Sequence, residues 1–232
     1  MWLGYVRIKY TLTYTSVIAG CGKTVFVTRF LKHLGTMVDT PIGEVVWCYA
    51  EWQTAYEKVQ HPRVRFNQGL LGLEDFPPQA TARLVIIDDL MREADDRVTD
   101  LFTKGSHHRN LSILYLSQNI FHQCKGARDV SLNAHYIVCF KSPRDSSQIA
   151  YLSRQVFPKN PRLVQEAYYD ATKVPHGYLV LNFKQSTPDE HRVSTDIFPD
   201  DKHYFVYVPK EYKTSDISHM LLSTRGASWT ET

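Results

Sequence analysis

Gly20-Cys21-Gly22-Lys23-Thr24 is the run of residues in this chain whose types and spacing point most directly to a chemistry. It reads as the back half of a phosphate-binding loop. Main-chain N–H groups of such a loop wrap phosphate oxygens, the lysine neutralises them, and the threonine hydroxyl holds Mg²⁺. On this pattern Gly20, Cys21, Gly22, Lys23 and Thr24 are nucleotide-binding residues, and Thr24 is also a metal ligand. The consensus places a further glycine five residues before Gly22, where this chain has Val17.

A second constellation supplies the carboxylates that a phosphate site needs. Leu84-Val85-Ile86-Ile87 is an apolar run that ends in Asp88-Asp89. Such a run suits a strand buried on both faces of a parallel sheet, whose ligand sits at the carboxyl ends of the strands. Asp88 would hold Mg²⁺ through water and Asp89 would polarise an attacking water. Taken alone, the pair could equally be acids at a helix start after a core strand. Gln118 follows another apolar run, Leu111 to Ser117, and an amide at that strand end can touch a γ-phosphate or its water. A strand-end turn is the alternative, and Asn119 fits it better than Gln118.

The elements that must position these groups alternate in type. Thr11 to Ala19 is β-branched and predicts a strand; Val27, Phe30, Leu31 and Leu34 then follow a helical spacing that Gly35 closes. Strands are predicted at 44–49, weakly at 64–66, at 111–117 and at 135–141, with a loop over 69–78. Helices are predicted at 96–103, 146–157 and 161–173, the last with Pro161 near its start. Two closing strands, 178–183 and 192–198, read as antiparallel. The pattern predicts one α/β domain over residues 1–208, with an extra strand between the two nucleotide motifs and a polar, poorly ordered tail at 209–232.

Composition bounds the rest. The chain has 232 residues, is 43% hydrophobic and carries a net charge of +3, too little to imply a polyanion partner by itself. Basic residues concentrate between Lys104 and Arg144, which could face a nucleic-acid backbone or form a solvated face. The four cysteines (21, 48, 124 and 139) form no CxxC pair, so a reducing interior is expected. His135 and Cys139 on one strand would lie about 13 Å apart, too far to share a zinc. Val17-Ile18-Ala19-Gly20-Cys21 mimics a lipoprotein cleavage box, but the segment before it lacks the apolar core of a signal. No run approaches a membrane span, so no membrane partner is expected.

Several longer strings are more specific than the nucleotide motifs. Val46-Trp47-Cys48-Tyr49-Ala50-Glu51-Trp52-Gln53, Val85 to Met91, Asp100 to Asn110 and Leu116 to Asn119 resemble the genome-packaging ATPase of Maverick/Polinton elements and adintovirus-like DNA viruses. The match continues through Ser131 to Tyr136, Phe140 to Asp145 and Pro175 to Tyr178, covering roughly 13–199. That family is similar to the FtsK/HerA branch of P-loop ATPases. The resemblance implies a three-layer, RecA/ASCE-like P-loop NTPase core with a mainly parallel sheet, using ATP and Mg²⁺. It also implies a homo-oligomeric ring, movement of double-stranded DNA, capsid or portal partners, and an intracellular, nuclear or virion-associated location. By position, Lys23 and Thr24 match the phosphate-loop lysine and Mg²⁺ ligand, Asp88 the Mg²⁺ acid and Gln118 the sensor amide. Asp89 stands where the catalytic glutamate is usual. Arg109 and Arg144 are candidates for an arginine acting across a subunit boundary, or for DNA contact.

This chain departs from the family in the loop itself. Gly-Pro-(Ser/Thr)-Gly is usual before Cys-Gly-Lys-Thr, whereas here Ala19 leads directly to Gly20-Cys21, as if about three residues were missing. A shortened cradle loses N–H donors, each charge-assisted bond being worth about 1.5–3 kcal/mol. Impaired ATP affinity on an unchanged fold is the expectation, and a catalytically impaired remnant is the alternative to an active motor. A small-molecule kinase fits less well for want of a distinct lid, and a GTPase for want of Asn-Lys-x-Asp.

Overall fold

The computed structural model describes residues 14–17, 22–78, 80–90, 96–105, 109–117, 133–142 and 147–209. Its strands are β1 (Tyr14–Val17), β2 (Ile42–Tyr49), β3 (Val64–Gln68), β4 (Ala82–Asp88), β5 (Leu111–Leu116), β6 (Tyr136–Phe140), β7 (Tyr178–Asn182), β8 (Val193–Thr195) and β9 (Phe205–Val206). They form one sheet in the order β3-β2-β4-β5-β1-β6-β7-β8-β9. Neighbours from β3 to β6 are parallel, and β7, β8 and β9 add on antiparallel.

The helices are α1 (Lys23–Lys32), α2 (Leu34–Met37), α3 (Asp96–Asp100), α4 (Ser147–Val156) and α5 (Pro161–Ala171). A π-turn over Leu101–Gly105 continues α3. Side chains alternate across the sheet into two cores. Val85, Ile87, Ile113, Ile137 and Leu179 pack with Val98, Leu101, Phe102, Ile149, Leu152, Val164 and Tyr168. Leu84, Ile86, Leu114, Val138 and Val180 pack on the other face with Phe26, Val27, Phe30, Leu31, Leu34 and Met37. Helices thus cover both faces, which is why β4, β6 and β7 are buried at every position.

The predicted elements recur with shifted ends. The first helix does not run to Gly35: α1 stops at Lys32, His33 turns the chain, and α2 then contains Gly35. Burial explains the second turn, because Leu34 and Met37 both reach the α1 core. The expected loop at 69–78 contains a short 3-10 turn at Leu73–Asp75. Helix α5 starts with Pro161 after Asn160, whose side chain accepts a hydrogen bond from the Leu163 N–H. Strand β3 is the extra strand between the two nucleotide motifs, pairing with β2 outside β4. Residues 210–232, where a polar tail was expected, lie outside the described residues.

Helix α1 is fixed in place by one ring cluster and one ion cluster. Phe26 meets the rings of Phe140, Tyr178 and Phe198 at centroid distances of 5.8, 5.0 and 5.0 Å. Burying such a ring stabilises by about 1.5–3 kcal/mol. Three residues along, the Arg29 guanidinium donates to Asp200 at 2.6 Å and Asp201 at 2.5 Å, and it lies 4.4 Å from the Phe198 ring centre. Desolvation would raise the Asp200 carboxyl, but hydrogen bonds from Arg29 and His33 outweigh it and hold the group down at about 2. Arg29→Ala is expected to cost about 1–2 kcal/mol, from a partly exposed ion pair and a cation–ring contact. Because the folded Asp200 value is depressed, its contribution is complete above the ordinary carboxylate range and is lost as pH falls toward about 2. Urea unfolding should therefore show the Arg29→Ala deficit narrowing between about pH 6 and pH 3. A deficit independent of pH would contradict this account.

Candidate functional site: a nucleotide cradle at the carboxyl edge of the sheet

The parallel register brings the strand ends together. Val17 pairs with Leu116, Leu116 with Asp88, Asp88 with Tyr49 and Tyr49 with Gln68. The residues that follow these ends therefore share one edge of the sheet. Strand β5 lies between β1 and β4, so Asp88 stands two strands from the end of β1, about 10 Å away. The chain leaves β1 toward β2 on one side and later crosses to β6 on the other. This is a topological switch point, the place where open α/β sheets leave a crevice for ligand.

The start of α1 is built to face that crevice. Gly22 adopts φ 148°, and a Cβ there would come within 2.9 Å of the Phe140 ring, so only glycine fits. The Phe26 N–H closes the first turn on the Gly22 carbonyl at 2.8 Å. No side chain caps this helix start, and its first turn contains no acid. Its leading N–H groups thus keep their pull on an anion. Lys23 and Thr24 are half-buried at this end. Only residues 18–22 join β1 to α1, and Val17, at the position of the first consensus glycine, is the last residue of β1.

Asp88 ends β4 with 3% of its surface exposed. Its carboxylate accepts a 2.9 Å hydrogen bond from the Tyr56 hydroxyl. Burial pushes the Asp88 carboxyl above its usual range; the Tyr56 bond and the charge of Lys23 pull it back, while Asp89 opposes them. Asp89 is exposed, with its N–H directed to the Leu116 carbonyl at 3.4 Å and with φ 54°. A left-handed aspartate at a strand end is an uncommon conformation of the kind that clusters at functional sites.

The structure brings Lys23, Thr24, Asp88 and Asp89 to one edge. Gly20, Cys21, Gln118 and Arg144 lie outside the described residues. Arg109 sits elsewhere: it precedes β5, at the opposite edge of the sheet, and donates to the Phe76 carbonyl at 2.9 Å. It does not reach the crevice. The described basic residues of the 104–144 segment are likewise divided. Lys104 pairs with Asp100 at 2.8 Å before β5, and Lys141 follows the end of β6.

Two neighbours of the site carry no local sequence signal of their role. Tyr56 lies in a 3-10 turn after β2, and its bond to Asp88 spans 32 residues. His176, with φ 60°, places its Nδ1 3.5 Å from where a Gly22 Cβ would stand. The string Pro175 to Tyr178 marks His176 only as part of a resemblance.

The donor set fits a Mg²⁺-bound nucleoside triphosphate. An uncapped helix start and a lysine suit phosphate oxygens, and a threonine hydroxyl with a buried carboxylate suits a hard cation that keeps most of its waters. With a central strand inserted between β1 and the strand bearing Asp88, and helices on both faces, the chain has a P-loop NTPase fold.

Comparison with one solved structure agrees with that fold. The chain is similar to the cytoplasmic domain of the Thermomonospora curvata type VII secretion ATPase EccC, with TM-score 0.50 and 11% identity over 94% of this chain and 28% of that one. It is also similar to EssC (ATPases 2 and 3) from Geobacillus thermodenitrificans, with TM-score 0.49 and 12% identity over 91% of this chain and 43% of that one. The chain thus spans 28% and 43% of the lengths of these two structures. No family model and no curated protein matches it.

Proposed function

We propose that this chain is an ATP-hydrolysing motor subunit of the FtsK/HerA type that moves double-stranded DNA, as a genome-packaging ATPase of a Maverick/Polinton-like integrated element. One observation carries the ATPase reading: Lys23 at an uncapped helix start and the buried Asp88 stand at the same carboxyl edge of the sheet. Bound Mg²⁺ would neutralise phosphate charge and orient the leaving group. Thr24 and Asp88 are the residues that would hold it. Lys23 draws the γ-phosphate charge toward the α1 start, and Asp89 orients a water and accepts its proton as the bond from phosphorus to the ADP oxygen breaks. Gln118 takes the γ-phosphate sensor role that the family resemblance implies for it. The packaging reading rests on the longer family-like strings.

Motors of this kind act as homo-oligomeric rings, and Arg144 or Arg109 would then serve a neighbouring subunit or DNA phosphates. The position of Arg109, away from its own crevice, suits an action in trans. DNA contact is assigned to the basic residues between Lys104 and Arg144, capsid or portal proteins are the further partners, and a nuclear or virion location follows from the same reading. The test is ATP hydrolysis with and without duplex DNA. Stimulation by duplex, lost in Lys23→Ala, supports the motor; hydrolysis indifferent to DNA contradicts translocation.

A second reading, a remnant that keeps the fold and binds DNA without ATP turnover, is favoured by Val17 lying inside β1. Salt-sensitive duplex binding that nucleotide does not change would select it.

A further inference from the structure

Asp88 and Tyr56 solve each other's burial problem, and the way they do so has a functional consequence. A carboxylate 3% exposed and a phenol 1% exposed both need polar partners. Here the phenol donates to a single carboxylate oxygen, Oδ2, at 2.9 Å. Tyr56 is itself held tightly. Its ring centre lies 5.2 Å from Trp47, 5.5 Å from Trp52, 5.7 Å from Tyr49 and 5.7 Å from Phe66. Four ring contacts fix the direction from which the hydroxyl approaches, so the carboxylate plane is fixed as well.

We propose that Tyr56 is the positioning residue of Asp88, holding Oδ2 so that the other oxygen is presented to the divalent cation of the nucleotide complex. The proposal rests on the nucleotide-site reading above. The carboxylate does not need a cation to be satisfied, because the phenol already satisfies one oxygen. What the phenol supplies is orientation, since a partner of this kind fixes the rotamer of a ligand and sharpens its metal affinity. Only the hydroxyl separates this role from packing, and Tyr56→Phe removes it while leaving every ring contact in place.

The experiment measures Mn²⁺ affinity by electron paramagnetic resonance, on the full chain saturated with a non-hydrolysable ATP analogue. Tyr56→Phe is expected to weaken Mn²⁺ about tenfold or more, the usual effect of removing an outer partner of a metal ligand. Affinity for the analogue without metal should not change. Phe66→Leu loosens the same ring cluster but keeps the hydroxyl, so it should lower stability and cost much less Mn²⁺ affinity than Tyr56→Phe. If Tyr56→Phe does not fold, Tyr56→Met serves, because its flexible thioether fills the space without a donor for Oδ2, and it should weaken Mn²⁺ in the same way.

Unchanged Mn²⁺ affinity in Tyr56→Phe overturns the proposal, as does an equal loss in Phe66→Leu, and either result leaves the nucleotide site standing. Mn²⁺ binding that Asp88→Asn does not reduce overturns the assignment of Asp88 as a ligand, and the proposal with it.

Discussion

Asp88→Asn is expected to lower Mg²⁺-dependent ATP hydrolysis by about 10²–10³-fold, the scale of losing one fixed electrostatic contact to the transition state. The fold should meanwhile stay as stable as before, or become more so. Asp88 is nearly fully buried, and burial is the largest influence on its carboxyl, pushing it upward. A group raised in this way opposes folding as pH rises through its folded value, so the ionised carboxylate works against stability at neutral pH. Asparagine removes that charge and still offers a carbonyl oxygen to the Tyr56 hydroxyl. A buried charge retained at a cost to the fold is the mark of a group kept for chemistry. Thermal unfolding and hydrolysis measured on the same preparation check both halves. A variant that hydrolyses ATP normally, or one that unfolds, would show that Asp88 serves the fold instead.

Gly22→Ala is the second large effect. The new methyl meets two penalties at once: φ 148° is a conformation that side chains rarely adopt, and the Phe140 ring stands 2.9 Å from the Cβ. The strain is worth about 1–3 kcal/mol and the overpacking about 1–3 kcal/mol more. Because Phe140 also packs on Phe26, the displacement passes into α1 and turns its leading N–H groups away from the crevice. Loss of nucleotide binding should accompany the loss of stability. Gly69→Ala is the control, since Gly69 also has a positive φ, of 85°, but nothing within 4 Å of its Cβ. Denaturant unfolding should show Gly22→Ala to be clearly the more damaging. Equal costs would mean that the Phe140 contact is unimportant.

Much of the architecture was legible because local pattern and burial agree. Leu84 to Ile87 reads as a strand with two buried faces, and β4 is such a strand. The turn at Gly22 and the helix after it follow from Gly-Lys-Thr between a β-branched run and a helical spacing. Local pattern is silent about strand order, and the insertion of β5 between β1 and β4 depends on crossovers that only tertiary packing decides. Strand β9 escaped notice because it has two residues, and Phe205 is exposed. The end of α1 was misplaced because Gly35 looks like a stop, whereas burial of Leu34 and Met37 draws the chain into a further turn. That Lys23, Thr24, Asp88 and Asp89 gather at one edge of the sheet was readable from their motifs. Tyr56 was not, because nothing in Thr54 to Lys58 signals that its ring will reach a carboxylate 32 residues away. Lys104 and Lys141, the ends of the described part of the basic segment, stand at opposite edges of the sheet, because closeness in sequence does not place residues on one face when a strand separates them.

The central claim is that the start of α1, with Lys23 and Asp88, binds Mg²⁺·ATP. Titration of the full chain and of Lys23→Ala with a fluorescent ATP analogue, with and without Mg²⁺, tests it most directly. Lys23→Ala should abolish the signal. The wild-type chain should bind more tightly with Mg²⁺ present than without it and, if the cradle has lost two N–H donors, a few hundredfold more weakly than an intact loop. Binding that survives Lys23→Ala unchanged, or a wild-type chain that binds no nucleotide, would contradict the account.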